Sequence, residues 1–82
     1  ADSISKNLFD KAVIASEGKD MGPYLTFAES VSKIRQRKDE FVLLLNKALN
    51  IKINSSKEFK LTNTISKNRA EWLLDNIDEF FY

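Results

Sequence analysis

At 82 residues, with 43% hydrophobic and 30% charged side chains, the chain has the composition of one small globular domain (residues 1–82) and not of a disordered segment. It has no Cys and no His, which excludes disulfides, thiolate nucleophiles and cysteine-type zinc sites and removes the commonest general base. The net charge of +1 hides a segregation: −2 over residues 1–32, +7 over 33–69 and −4 over 70–82.

Ile4, Leu8, Ala12 and Ala15 recur at helical spacing, with Phe9 and Val13 widening the stripe and Asp2 or Ser3 placed to cap it. This predicts a helix over residues 3–16 that ends near Gly18. Gly18, Gly22 and Pro23 are the only Gly and Pro residues, and their cluster "EGKDMGP" is the one strong break. The following "TFAE" has the form of a capping box between Thr26 and Glu29, so a second helix is expected there, or one turn earlier with Pro23 in its first turn.

Phe27, Ala28, Val31, Ile34, Phe41, Leu44, Leu45, Ala48 and Leu49 keep helical phase across the polar "KIRQRK", with Lys38 at the missing position. Nothing between Lys33 and Asn50 is a helix breaker, so one helix over 26–50 is favoured over two. It would be about 36 Å long, more than so small a domain covers. Leu43, opposite Phe41 and Leu45, is then a candidate interface residue, unless the helix is packed on two sides.

Ile51 and Ile53 alternate with Lys52 and Asn54, as Phe59 and Leu61 do with Lys60 and Thr62, the pattern of a short β-hairpin over 51–62. Its "NSSK" turn lacks Asn-Gly or Asp-Gly, which leaves an irregular loop as the alternative. A last helix begins at Thr64 or Ser66 and carries the stripe Ala70, Leu73, Leu74, Ile77, Phe80 and Phe81. Its acids lie in its middle and end, where the helix dipole disfavours them, so cations of the basic middle segment are expected nearby. Trp72 falls off the stripe, either packed under the hairpin or exposed for a partner.

The fold expected is mainly α, a small α+β arrangement of helix, long helix, short β-hairpin and C-terminal helix. An all-α bundle and a winged-helix-like arrangement are the alternatives. The longest fully apolar run, Phe41 to Leu45, falls far short of the ~20 residues of a membrane span, and no basic start leads into an apolar segment. A soluble, cytoplasmic protein is therefore expected. No pair of carboxylates or lysines stands out by spacing, so the expectation is a non-enzyme without metal or cofactor.

The leading functional expectation is a DNA-binding regulatory protein. Lys33, Arg35, Arg37 and Lys38 lie on the helix flank, and Lys52, Lys57 and Lys60 would project from the hairpin, a footprint able to release counterions from phosphates. The pattern resembles the helix-plus-wing arrangement of winged-helix DNA-binding proteins, although "KDEFVLLLNKALN" is apolar enough for a core. The alternative is a protein-binding module or regulator that docks on a larger protein or forms a homodimer, anchored by Leu43, Trp72, Phe81 and Tyr82. A third reading is that the segregated charges simply pair within one molecule.

Overall fold

The computed structural model describes residues 2–81, and the side chains of all of these but Asp2, Ser3 and Ser55. Four α-helices and no strand are present among them: α1 (Asp2–Ala15), α2 (Gly22–Phe27), α3 (Lys38–Leu49) and α4 (Lys60–Asp75). α2 runs on into a π-helical turn, Ala28–Ser32, and short 3-10 turns follow α3 (Ile53–Ser55) and α4 (Ile77–Glu79). The all-α alternative is the one that fits.

α1 stops where the sequence asks it to. Glu17 and Gly18 both turn to positive φ, 56° and 73°, and the Gly18 N–H reaches back to the Val13 carbonyl at 2.9 Å, satisfying a carbonyl that the helix end would leave open. Asp20 then accepts from the Gly22 N–H at 2.9 Å and starts α2, with Pro23 in its first turn. The expected capping box is not used: Thr26 and Glu29 lie inside helical structure, and the Glu29 carboxylate accepts from Arg69 of α4 at 2.7 Å.

The expected single helix over 26–50 is two. After the π-helical turn, Gln36 adopts φ 57° and the Arg37 N–H donates to the Ser32 carbonyl at 2.8 Å, a helix-ending geometry usually built on Gly. Here Gln36 takes that role, and its side-chain amide donates to the carbonyls of Lys33 and Phe80, both at 3.0 Å. These bonds offset the strain of a left-handed residue with a Cβ, on the order of 1–2 kcal/mol. Asp39 and Glu40 then meet the positive N-terminal end of α3.

The hairpin expected over 51–62 is absent. Ile51 and Ile53 turn half-buried against the rim of the core, and α4 begins at Lys60, before the Thr64 or Ser66 expected. Without a residue pair suited to positive φ, nothing closes two strands on each other. α4 in turn ends at Asp75, where the Asn76 side chain donates to the Trp72 carbonyl at 2.9 Å. Phe80 and Phe81 are therefore not on the helix; they fold back so that their rings stand 6.3 and 5.1 Å from that of Phe41.

The core gathers Met21, Leu25 and Ala28 from the α2 region, Phe41, Leu44, Leu45 and Ala48 from α3, and Ala70 and Leu73 from α4. Asn63, fully buried on α4, fastens the α1–α2 connection to it. Its Oδ1 accepts from the Met21 N–H at 2.8 Å and its Nδ2 donates to the Lys19 carbonyl at 2.7 Å. The helices spread into a slab of 38 × 29 × 14 Å. With helices about 10 Å across, so thin a body leaves several of them without cover on the outer side.

Candidate protein-binding surface

Of the seven cations singled out in the sequence, Lys33, Arg37 and Lys38 have their partners within the chain. The Lys33 ammonium lies 4.7 Å from the centre of the Phe80 ring, Arg37 faces Glu40 at 3.9 Å, and Lys38 faces Asp78 at 3.7 Å. Arg69 pairs with Glu29 across the molecule. Arg35 is exposed on the bend that precedes α3, and Lys52 is exposed in the connection to α4. Lys57 and Lys60 are exposed at the start of α4, where no hairpin carries them as a wing. Among the described ion pairs, one exposed pair, Lys38–Asp78, joins the basic middle of the chain to its acidic end.

Apart from Ile14 and Ile34, the exposed large apolar side chains lie in three places. Leu43, 54% exposed, rims a shallow hollow of about 260 Å³ with Phe9, Tyr24 and Phe27. On α4, Leu61 (74%), Ile65 (62%) and Trp72 (47%) are exposed, the indole held 4.9 Å from the Arg69 guanidinium and 5.8 Å from the Phe80 ring. Phe81 is half-buried against Phe41, and Tyr82 lies outside the described residues.

The third place is a groove of about 490 Å³ between α1 and α2, walled by Leu8, Phe9, Ala12, Pro23, Phe27 and Val31. Its shape follows from how α1 is attached. Phe9 is the anchor, with its ring edge-on to Tyr24 at 5.3 Å and tilted against Phe27 at 5.2 Å. No apolar side chain of α1 is fully buried, and Ile4 and Leu8 stand 65% and 64% exposed beside the groove.

Sequence reasoning placed Leu8 on the stripe that faces the core. The legible signal was the width of that stripe: Phe9 and Val13 lie about 100° or more around the helix from Ile4 and Leu8, so α1 has two apolar faces and one of them has no partner. Among the described residues no three acids come together to hold a metal ion, and no helix is long and apolar enough to cross a membrane.

Residues 3–81 match the TRAP transporter T-component family, TAtT. No curated protein and no solved structure matches the chain. The family match overturns the expectation of a DNA-binding regulatory protein and points to a transport-associated one. The geometry supplies the physical reason: the wing is missing, and α3, the helix that would enter a groove of DNA, spends Phe41, Leu44, Leu45 and Ala48 on the core.

Proposed function

The chain belongs to the TRAP transporter T-component family, and from that premise we propose that it is a non-enzymatic helical component that docks on another protein of its transporter through the α1–α2 groove. The observation that carries this reading is the groove itself: about 490 Å³ of mainly apolar space, continued outward by exposed Ile4 and Leu8. Exposed apolar surface gathered round a concavity, with Asp20 and Thr26 as polar rim, suits the apolar face of an amphipathic segment of a protein partner. The strength of such a contact would come from a few anchors seated beside Phe9 and Phe27.

The test is binding to the other components of the transporter, followed by titration calorimetry or surface capture. Leu8→Asp adds a charge to the groove wall at a side chain that α1 leaves mostly in water, so circular dichroism and thermal unfolding stay close to the parent. Affinity should fall at least about tenfold. Unchanged affinity in a folded Leu8→Asp protein sinks the assignment of the groove.

A further inference from the structure

Among the described residues that line the α1–α2 groove, Ser5 and Thr26 are polar but neutral and Asp20 alone is charged. The Asp20 carboxylate is half-buried, and the Gly22 N–H holds it in place by donating to Oδ1 at 2.9 Å. A Cβ at Gly22 would stand 3.2 Å from the same oxygen, so the glycine leaves room for the carboxylate. Oδ2 has no partner among the described residues, and Asp20 enters none of their ion pairs.

The neighbouring cations do not supply that partner. Lys19 faces Glu17 at 3.7 Å, Lys6 faces Asp10 at 3.6 Å, and Arg69 is taken by Glu29. Lys11 is exposed on α1, about 100° around the helix from Ala12 and outside the lining. When apolar surface covers the groove, the carboxylate loses water and gains nothing, so a purely apolar occupant is penalised. An occupant that brings a cation to the same place turns the penalty into a charge-assisted hydrogen bond.

The charge also has a definite position. Asp20 stands just ahead of α2, and Val31 lies in the π-helical turn that continues it, so the lining extends about 14 Å along this segment with the acid at its beginning. An α-helix covers that length in about nine residues. Apolar side chains at i, i+4 and i+7 would line the apolar stretch, and i+11, on the same face one turn further, would reach the acid.

Building on the docking at this groove proposed above, we propose that its occupant is an amphipathic helix of the partner protein with an arginine or lysine one turn beyond its apolar anchors. This cation pairs with Asp20 Oδ2, and the pair sets the direction in which the helix lies. Affinity comes mainly from the anchors beside Phe9 and Phe27, and the charge selects among apolar helices.

The test uses two synthetic helical peptides of about 14 residues with leucine at i, i+4 and i+7, identical except for arginine or glutamate at i+11. Fluorescence anisotropy should show the arginine peptide binding the parent protein about tenfold more tightly than the glutamate peptide. Asp20→Asn keeps the Oδ1 that accepts from the Gly22 N–H and removes the charge, so the fold is retained and the preference should fall to within about twofold. Asp10→Asn makes the same change in net charge about 160° around α1 from Ala12, and the preference should survive it.

Equal affinity of the two peptides for the parent, a preference that survives Asp20→Asn, or one that Asp10→Asn also removes would overturn the proposal. Docking at the groove would still stand if Leu8→Asp weakened the binding of both peptides. Peptides that do not bind at about 1 mM, or that bind the Leu8→Asp protein as well as the parent, would overturn the proposal and the docking together.

Discussion

α1 and α3 look alike as sequences, each an amphipathic helix with apolar residues three and four apart, and the structure treats them in opposite ways. α3 buries Phe41, Leu44, Leu45 and Ala48, whereas α1 buries no apolar side chain fully and leaves Ile4, Leu8 and Ile14 mostly in water. Periodicity says that a helix has an apolar face; it does not say how much of that face the rest of the chain can reach. Position decides it here. α3 lies between the α2 region and α4, while α1 touches the slab mainly through α2 and one aromatic contact.

The sharpest way to break this contrast is at its centre. Phe41→Ala removes a fully buried ring that meets both Phe80 and Phe81 and should cost about 3–5 kcal/mol, enough to abolish the cooperative urea transition of a domain this small. Retention of most of the transition would mean that the core does not depend on α3. Asn63→Ala should come next, at about 2–3 kcal/mol, because the Met21 N–H and Lys19 carbonyl lose their partner where water has little access. A loss below about 0.5 kcal/mol in equilibrium denaturation would show that the connection is held some other way.

Phe9→Ala separates the two helices most directly. It should cost about 1–2 kcal/mol and strip α1 of amide protection in hydrogen exchange while α3 keeps most of its own. Loss of protection in both helices together would make α1 part of the same cooperative unit. At the small end, Ile14→Ser, on a side chain 76% exposed, should change the thermal midpoint by less than the equivalent of about 0.5 kcal/mol.

What the residues disclosed follows the same division. Helix α1 and its stop at Gly18 were legible because local spacing and a glycine determine them. The apolar half of α4 that reaches the core, Ala70 and Leu73, was legible for the same reason. The bend at Gln36 was not, because it is stabilised by a carbonyl 44 residues further on, and no Gly or Pro marks it. Asn63 was equally silent: its spacing resembles that of any exposed polar residue, and only the approach of the α1–α2 connection gives it two buried partners. The basic stretch was visible, but its meaning was not. A run of lysines and arginines reads alike whether phosphate faces it or, as with Lys38 and Asp78, the end of its own chain.

The apolar stripe runs in phase straight through the bend, so local preference and final shape disagree at one residue. A straight rod from α2 into α3 is the conformation that the segment's own periodicity favours, and the carbonyl of Phe80 is among the groups that hold it folded. Gln36 therefore works as a latch between distant parts of the chain: a load that draws the segment after α4 away from Phe41 also relaxes the angle between the two helices upstream.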